Sequence, residues 1–582
     1  MTRKADPIQS TRAEDFDYMK VNVPCQDACP VLTNVPAYIR AVYENDFTLS
    51  YNINLESNLF PGVLGRICSR PCESKCRHGE KELGKPVNIC YLKRAAADFR
   101  DRQVPRETLI HHRISKNVAI VGAGPSGLAA AHDLALSGLS VSVLEAMEKP
   151  GGMLYYGIPA FRLPRAVLTE EIERVLDLGI DFRPGIRLGK DITLAGLLKD
   201  FDAVLLATGC YHPRRLNIPG EAFDGVFSGL QFMMDLNSGR PPRVGKKVLV
   251  LGAGFTAFDC ARSALRLGAE DVSICLRRTE EDLAVTREEV LEAKREGVRI
   301  ESLMVAKTIL GNGNLKRVEF IRTRPGLPGT AGKREITTIK GSEFVLDADT
   351  VIAATGQGPE PIPILDERTP EGIVTVEKGS FRSPVAGLFA AGDYVTGPST
   401  VIQAIAAGRK AAAAIVTEMT GRDCRERVVR IEDTVTTDRP RTWDFLPTLE
   451  IPTLEPMQDR FDINPKEVEL GYAEEQAQTE SKRCYLCYLH YEIDIKRCIY
   501  CRYCIDVAPR DCIKLVKRMT TNENGAVTGF EETSVWRDVN GIIIDNSRCI
   551  RCGACMKICP VDCISVSKVQ LLERPIGRAE EA

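Results

Sequence analysis

Short apolar segments alternate with helical patterns through the middle of the chain. The clearest of these segments are Asn117–Val121, Val141–Leu144, Ala203–Ala207, Lys247–Leu251, Val272–Leu276 and Thr350–Ala354. Such runs are typical of parallel strands that are buried on both faces and joined by crossover helices. The pattern therefore predicts an α/β core.

The pattern changes outside this core. Residues 422–465 are rich in Pro, Asp, Thr and Arg, which predicts a long connector. Glu467–Arg483 has a helical pattern, and Thr520–Asp545 has polar turns between short strands. These segments lie between groups of cysteines, so they divide the chain into several parts.

Length and charge exclude several classes of protein. With 582 residues the chain is too long for one core, and several domains are expected. The net charge of -2, without a basic cluster, argues against nucleic acid as a partner. No run of 18 or more uncharged apolar residues occurs, and the N-terminus lacks an apolar signal segment, so a cytoplasmic location is expected.

The first predicted strand leads into a glycine-rich loop with Gly122, Gly124 and Gly127. A helical pattern follows, and Glu145 closes the next strand. Glycines allow the backbone to approach a pyrophosphate, and the helix N-terminus offers free N–H groups to it. The acidic residue suits a ribose hydroxyl, so this segment is predicted to bind a dinucleotide.

A second loop, with Gly252, Gly254 and Ala257, has the same position between strand and helix. The acid expected after the next strand is absent, and Arg277 and Arg278 stand there instead. Cationic side chains suit a 2′-phosphate, which favours NADPH over NADH. The alternative is that the two arginines are an ordinary solvated basic pair.

Two such loops in one chain resemble the two-dinucleotide-binding flavoproteins. This resemblance implies that one ligand is FAD and that four further motifs contact it: Gly151-Gly152-Met153, Ala207-Thr208-Gly209, Ala354-Thr355-Gly356 and Ala390-Ala391-Gly392-Asp393. Asp393 would then bind the ribityl or pyrophosphate part. Disulfide reductases of this fold carry a C-x2-C or C-x4-C pair beside the flavin, but none occurs between Cys90 and Cys484. The electrons are therefore expected to pass to another acceptor.

The back of the chain holds a cysteine run of the bacterial ferredoxin type, namely Cys549, Cys552, Cys555 and Cys559 followed by Pro560. An earlier copy has Cys498, Cys501 and Cys504, with Ala508 in place of its fourth cysteine. In two-cluster ferredoxins the fourth cysteine of each run ligates the other cluster.

This exchange of ligands predicts two cysteine sets. Group D contains Cys498, Cys501, Cys504 and Cys559. Group C contains Cys549, Cys552, Cys555 and, as the nearest substitute for the missing ligand, Cys512. The alternative for group C is a labile or [3Fe–4S] site with three thiolates, and Cys563 is the spare cysteine.

The front of the chain carries Cys25, Cys29, Cys68, Cys72 and Cys76. Their spacing and flanking residues resemble the N-terminal cluster domain of the glutamate synthase small subunit and of dihydropyrimidine dehydrogenase. That family has a C-x2-C pair just before Cys25, where this chain has none. A matching pair, Cys484 and Cys487, stands far along the chain.

We therefore expect the C-terminal segment to return and complete the front clusters. Group A would contain Cys25, Cys76, Cys484 and Cys487. Group B would contain Cys29, Cys68, Cys72 and Cys90. The last ligand of group B is often not a cysteine in the related family, and Lys93 stands at that position here. A protonated lysine is a poor ligand, whereas Cys90 lies one helical turn earlier. Zinc is the alternative occupant of a C-x2-C pair.

The expected domains are a helical [4Fe–4S] domain (1–112), an FAD-binding domain in two parts (113–228 and 351–421), an NAD(P)H-binding domain (229–350), a linker with a helix (422–483) and a C-terminal iron–sulfur segment with an α+β ferredoxin-like domain (484–582). The cofactors expected are FAD, NADPH or NADH, and four [4Fe–4S] clusters.

The expected function is an electron-transfer subunit that connects NADPH, FAD and the clusters with a ferredoxin or a larger catalytic redox subunit. A stand-alone NADPH:ferredoxin oxidoreductase and a true glutamate synthase small subunit are the alternatives. No catalytic acid–base residue is predicted.

Overall fold

The structure, a computed structural model, describes residues 16–79, 84–102, 114–283, 285–312, 315–328, 334–362, 375–377, 379–423, 425–434, 439–456, 466–521 and 527–575. The chain divides into two compact units. An iron–sulfur unit takes residues 1–105, 423–452 and 471–582, and a nucleotide-binding unit takes residues 106–422 and 453–470. The predicted boundary at residues 112 and 113 lies outside the described residues.

The helices in chain order are α1 (Phe16–Asn22), α2 (Pro24–Asp27), α3 (Val35–Tyr43), α4 (Phe47–Asn58), α5 (Pro61–Ile67), α6 (Pro71–Ser74), α7 (Ile89–Phe99), α8 (Pro125–Leu136), α9 (Met153–Tyr156), α10 (Arg165–Leu176), α11 (Leu194–Asp200), α12 (Gly229–Asn237), α13 (Phe255–Arg266), α14 (Arg287–Arg295), α15 (Asp393–Thr396), α16 (Val401–Thr420), α17 (Glu474–Ser481), α18 (Tyr503–Val507) and α19 (Ala554–Ile558).

The strands are β1 (Asn117–Val121), β2 (Ser140–Glu145), β3 (Asp181–Pro184), β4 (Ala203–Leu206), β5 (His212–Pro213), β6 (Val226–Ser228), β7 (Lys247–Leu251), β8 (Asp271–Cys275), β9 (Arg299–Glu301), β10 (Met304–Asn312), β11 (Leu315–Pro328), β12 (Arg334–Ala348), β13 (Thr350–Ala353), β14 (Gln357–Gly358), β15 (Leu388–Ala390), β16 (Arg425–Thr434), β17 (Leu489–Ile493), β18 (Ile513–Thr521), β19 (Val527–Glu532), β20 (Gly541–Ile544) and β21 (Ile564–Pro575).

Two five-stranded parallel sheets form the nucleotide-binding unit. The first has the order β15-β4-β1-β2-β3, and the second has the order β6-β13-β7-β8-β9. All the apolar segments predicted from the sequence are strands of these two sheets, with ends that differ by at most one residue. Their side chains are almost completely buried, as expected for parallel strands covered on both faces. A three-stranded antiparallel sheet, β10-β11-β12, also belongs to this unit.

The second sheet extends beyond the predicted NAD(P)H-binding segment of residues 229–350. Strand β6 pairs with β13, and β13 pairs with β7, all in parallel. Both β6 and most of β13 lie outside the predicted boundaries. Both sheets are built from similar short apolar strands, so the sequence pattern alone does not show to which sheet each strand belongs.

In the iron–sulfur unit, the two ends of the chain share one hydrophobic core. Val23, Tyr38 and Tyr91 from the N-terminal helices are buried in the same cluster as Tyr491 and Val569 from the C-terminal sheet. Two antiparallel three-stranded sheets, β16-β21-β17 and β19-β18-β20, complete this unit.

Strand β16 lies within the predicted connector of residues 422–465. It pairs along its whole length with β21. Its polar, Arg-rich sequence gave no indication of a strand, because the antiparallel partner that stabilises it lies far along the chain.

Candidate functional site

The first glycine loop joins β1 to α8 in the sharp turn that a dinucleotide requires. Gly122 has a positive φ of 109°, and a Cβ there would lie 2.4 Å from the carbonyl oxygen of Ala207. A Cβ on Gly127 would lie 1.9 Å from the carbonyl oxygen of Gly122. Only glycine fits at these two positions, so the identity of both residues follows from close backbone packing.

The N-termini of α8 and α13 are open toward potential ligands. Gly124 is the N-cap of α8 and Gly254 is the N-cap of α13, and no side chain caps either helix. A Cβ on Gly254 would meet no atom within 4 Å. Two helix N-termini with uncapped N–H groups and free space in front of them provide two sites for anions such as pyrophosphates.

Glu145 ends β2 beside the first loop. Its two carboxylate oxygens accept hydrogen bonds from the backbone N–H groups of Ala123 (2.7 Å) and Met147 (2.9 Å). Burial raises the pKa of Glu145. The carboxylate is thus fixed in place at the end of the strand, where the ribose of a dinucleotide is expected to lie.

A single cavity of about 1100 Å³ contains both loops. It is larger than the roughly 300–1,000 Å³ of a typical small-molecule pocket. The predicted nucleotide residues that line it are Gly122, Gly124, Glu145, Gly152, Met153, Thr208, Gly209, Gly252, Gly254, Arg277, Thr355, Gly356 and Asp393. The size of the cavity and the two open helix N-termini fit FAD together with the nicotinamide nucleotide.

Four predicted residues do not line this cavity. Gly127 lies beneath the first turn, and Ala257 is completely buried in α13. Gly392 precedes the cavity residue Asp393 and has a positive φ of 70°. Arg278 is partly buried and its carbonyl oxygen accepts a hydrogen bond from the backbone of Leu303. Of the two predicted phosphate-binding arginines, the structure therefore brings Arg277 to the cavity.

The predicted FAD residue Asp393 is held by its own loop. Its carboxylate accepts hydrogen bonds from the backbone N–H of Ser399 (3.1 Å) and from its hydroxyl (2.5 Å). The thiol of Cys210 donates to the carbonyl oxygen of Asp393 at 3.2 Å. Burial raises the pKa of Asp393, although the hydrogen bonds from Ser399 oppose this.

Sequence reasoning missed several residues of the cavity. Cys210, Tyr211 and Arg215 line it as well. Cys210 and Tyr211 are the two residues after the Thr208-Gly209 motif, so an extension of that motif could have found both. Arg215 carries no sequence signal, because only the return of the chain from the first sheet brings it to the cavity.

Buried ion pairs support the second nucleotide loop. Arg262 and Arg266 on α13 form ion pairs with Glu296 at 2.9 Å and 2.8 Å, respectively. Burial alone would raise the pKa of Glu296, but these two arginines lower it to about 2. The carboxylate is therefore charged at any physiological pH, and it fixes the helix whose N-terminus faces the cavity.

The structure brings the four cysteines of group A together. They line one small cavity, although two come from the front of the chain and two from the back. Burial and the neighbouring thiols raise the pKa of Cys25, and burial raises that of Cys76 to about 11 and that of Cys484 to about 12. The structure thus brings the C-terminal pair, Cys484 and Cys487, to the front cysteines, as the sequence led us to expect.

Group B also converges. The thiols of Cys68 and Cys72 lie beside that of Cys90, and the buried Lys93 is within electrostatic range of all four thiols of the group. The carboxylate of Glu73 accepts a hydrogen bond from the backbone N–H of Cys90 at 2.9 Å. Cys90 is therefore oriented toward Cys68 and Cys72.

In group C the candidate substitute Cys512 lies next to Cys549. The interaction between the two thiols raises the pKa of Cys512 and lowers that of Cys549 to about 6. Cys552 and Cys555 also act on Cys512. The structure thus brings Cys512 to the set that lacks a fourth cysteine in the sequence pattern.

Group D has one more cysteine than expected. Its four predicted members line a small cavity together with Cys563. The Sγ atoms of Cys559 and Cys563 are 3.5 Å apart. The spare cysteine Cys563 therefore lies beside the group D site.

The chemistry of these groups fits [4Fe–4S] clusters. Thiolates, not thiols, are the ligands of iron, so metal binding at these groups would release the thiol protons. Among the described residues, no three Cys, His, Asp or Glu side chains converge closely enough to bind one metal ion. In a [4Fe–4S] cube each thiolate binds a different iron, so the ligands stand farther apart than those of a single zinc ion.

The fold and these sites define a dinucleotide-dependent flavoprotein oxidoreductase with iron–sulfur modules. Residues 116–408 match the family described as pyridine nucleotide-disulphide oxidoreductase. Residues 19–104 match dihydropyrimidine dehydrogenase domain II, 4Fe-4S cluster, and residues 497–568 match the 4Fe-4S dicluster domain. The chain belongs to the pyridine nucleotide-disulphide oxidoreductase family.

Three relatives illustrate this membership. The chain is 37% identical over 424 residues to the NADP(+)-dependent formate dehydrogenase subunit beta of Moorella thermoacetica, covering 68% of the chain and 60% of that subunit. It is 35% identical over 511 residues to the NADPH-Fe(3+) oxidoreductase subunit beta of Geobacter sulfurreducens, covering 81% and 75%. It is 35% identical over 418 residues to the glutamate synthase [NADPH] small chain of Escherichia coli K12, covering 68% and 88%.

These matches confirm the predicted fold class, the resemblance to the glutamate synthase small subunit, and FAD, NADPH and [4Fe–4S] clusters as the cofactor classes. The chain spans less than two thirds of the formate dehydrogenase subunit. The individual site residues, the number of clusters and the domain boundaries stay predictions. In the described part of the chain, no helix has the length and apolar character needed to cross a bilayer.

Proposed function

We propose that this chain is the electron-transfer subunit of a larger redox complex, in which it exchanges electrons between NADPH and a partner protein. The observation that carries this proposal is one cavity that contains both nucleotide loops, in a chain whose sequence has no C-x2-C or C-x4-C pair between Cys90 and Cys484. Sixteen other cysteines form four sets in the iron–sulfur unit. An enzyme built in this way passes its electrons to clusters instead of to a protein disulfide.

The residues of the cavity hold and separate the two nucleotides. The N-termini of α8 and α13 bind the pyrophosphates, Glu145 binds a ribose, and Arg277 binds the 2′-phosphate of NADPH. Met153 and Met234 contribute apolar side chains to the wall of the cavity. Bound FAD would convert a two-electron hydride into single electrons, and bound [4Fe–4S] clusters would carry these one at a time.

Contacts within the iron–sulfur unit suggest the order B, A, C, D for the four clusters. Tyr38 lies within electrostatic range of thiols from both group B and group A. Arg551 donates hydrogen bonds to the carbonyl oxygens of Cys487 in group A and of Cys549 in group C. Cys555 of group C is in turn influenced by Cys504 of group D. Each set is therefore a neighbour of the next.

Group D has an exposed apolar surface that suits a docking partner. Ile499, which lines the group D cavity, is 59% exposed, and Tyr503 is 53% exposed. Exposed apolar side chains beside a cluster are typical of sites where another redox protein binds. The relatives named as beta subunits or small chains support a partner of this kind, so we expect a larger redox subunit to bind at group D.

The proposal is tested by purifying the native chain anaerobically from its source and measuring its composition and turnover. We expect about sixteen irons and one FAD per chain, a stoichiometric larger redox subunit, and reduction of both flavin and clusters by NADPH. Ile499→Glu should release the larger subunit, whereas Phe223→Glu, at an exposed position of the nucleotide-binding unit, should not. Full NADPH:ferredoxin turnover by the isolated chain would instead identify a stand-alone enzyme.

A further inference from the structure

Lys93 is a buried cation among the thiols of group B. Only 3% of its surface is exposed, although lysine is almost never fully buried without a charged partner. The groups that act on it most strongly are the four thiols of Cys90, Cys68, Cys29 and Cys72.

Close helix packing places Lys93 there. A Cβ on Gly65 would lie 2.7 Å from the backbone of Arg94, so α5 and α7 are in direct contact at this point. This contact brings Cys68, which follows α5, to Cys90 on α7. Lys93 lies on the same helix, three residues after Cys90, and therefore projects from the same face.

The ammonium group cannot serve as the fourth ligand of this site. A protonated lysine has three donors and no acceptor, so it offers no lone pair to iron. Group B already contains four thiols without it. The remaining role for a buried cation at this place is electrostatic, because burying an unpaired charge is costly and a nearby negative group offsets that cost.

A [4Fe–4S] cube with four thiolates is such a negative group, and its reduction adds one more electron. A fixed positive charge beside it stabilises the reduced state more than the oxidised state, and a buried charge is screened little by salt. We propose that Lys93 raises the reduction potential of the group B cluster through its charge, without binding iron. This inference rests on the proposed cluster at group B, but not on the identity of the partner.

The test is an anaerobic redox titration of the full chain followed by EPR. Lys93→Met removes the charge and keeps an apolar side chain of similar length, whereas Lys93→Arg keeps the charge. Lys75→Met is the matched control, because Lys75 is close to the same cysteines in sequence but exposed to solvent. The variant Cys68→Ala identifies the group B signal by removing it.

For Lys93→Met we expect full iron content. At a fixed potential, the ratio of oxidised to reduced group B cluster should rise at least tenfold. A tenfold shift corresponds to a midpoint about 59 mV lower for a one-electron couple. Lys93→Arg should stay close to the wild type, and Lys75→Met should not shift.

Three results would overturn the inference. The first is an unchanged group B midpoint in Lys93→Met, and the second is an equal shift in Lys75→Met. The third is a loss of about four irons in Lys93→Met, which would make Lys93 a requirement for holding the cluster. If wild-type protein has no group B signal that Cys68→Ala removes, the proposed cluster itself is wrong, and this outcome is distinct from the other three.

Discussion

Replacing Cys484 by alanine tests whether the two ends of the chain build one cluster together. Cys484 stands in the C-terminal segment, but its thiol lies with those of Cys25 and Cys76 from the front of the chain. If group A holds a cluster, the variant should lose it. If the back cysteines form a site of their own, the front cluster should survive.

Cys484→Ala should lose about four of about sixteen irons, together with the EPR signals of one cluster. The fold should remain, because the backbone carbonyl of Cys484, which accepts a hydrogen bond from Arg439 at 3.1 Å, is unaffected. Removing the thiol alone costs on the order of 1 kcal/mol of folding free energy. The further cost of losing the cluster falls on the iron–sulfur unit, whereas the residues of the flavin cavity belong to the nucleotide-binding unit. The flavin content should therefore stay at one per chain.

The assay combines iron and FAD analysis with EPR of the dithionite-reduced protein. Cys260→Ala is the matched control, because this cysteine is buried in the nucleotide-binding unit, where its thiol donates a hydrogen bond to the carbonyl oxygen of Gly229, and its loss should leave all the irons in place. The reasoning is wrong if Cys484→Ala keeps its full iron content. It is also wrong if the variant loses the signals of the ferredoxin pair instead of a front cluster.

Further changes test the other sites. Cys512→Ala should leave group C with three thiolates, so that one iron is lost and a [3Fe–4S] signal appears in the EPR spectrum. Adding Ala508→Cys to this variant should restore the four-iron signal. Arg277→Glu should raise the KM for NADPH by roughly tenfold to a hundredfold, with little change in the KM for NADH, since a charge-assisted hydrogen bond contributes about 1.5–3 kcal/mol. An equal effect on both nucleotides would exclude a role of Arg277 in binding the 2′-phosphate. Glu296→Gln should destabilise the second sheet by about 3–5 kcal/mol, measured by thermal release of flavin fluorescence. The folded pKa of Glu296 is about 2, which is below its unfolded value of about 4.3. The stabilisation by its ion pairs is therefore complete at pH 6 and pH 8 and is lost only as the pH falls below about 4.3. A cost of the substitution that differs between pH 6 and pH 8 would contradict this assignment.

The parts of the fold that sequence predicts well are those fixed by local geometry. Gly127 must be glycine because a Cβ would lie 1.9 Å from the carbonyl oxygen of Gly122, so the loop carries its own signature. The parallel strands beside it are short, apolar and buried on both faces, which also appears directly in the sequence. The pairing of β16 with β21 depends on a partner far along the chain, and no local pattern indicates it.

The cysteine sites occupy a middle position between these cases. The expected meeting of Cys25 with Cys484 came from the absence of a pair at the front and its presence at the back, and the structure does bring these residues together. The surroundings of the sites could not be predicted in this way. The burial of Lys93 among four thiols depends on how α5 packs on α7, which no local pattern indicates.

Two buried arginines explain why the ends of the chain fold as one unit. Arg439 donates to the carbonyl oxygens of Cys484 and Ile550, and Arg551 donates to those of Cys487 and Leu489. Both side chains are almost completely buried between groups A and C. A cation that is buried this way is costly unless negative groups lie near it. The carboxylate of Asp444 lies 3.8 Å from Arg439, and clusters on both sides would add further negative charge. The same two arginines donate hydrogen bonds to the backbone of the ligand turns and would offset the negative charge of the clusters bound there. Folding of the unit and loading of its clusters should therefore stabilise each other.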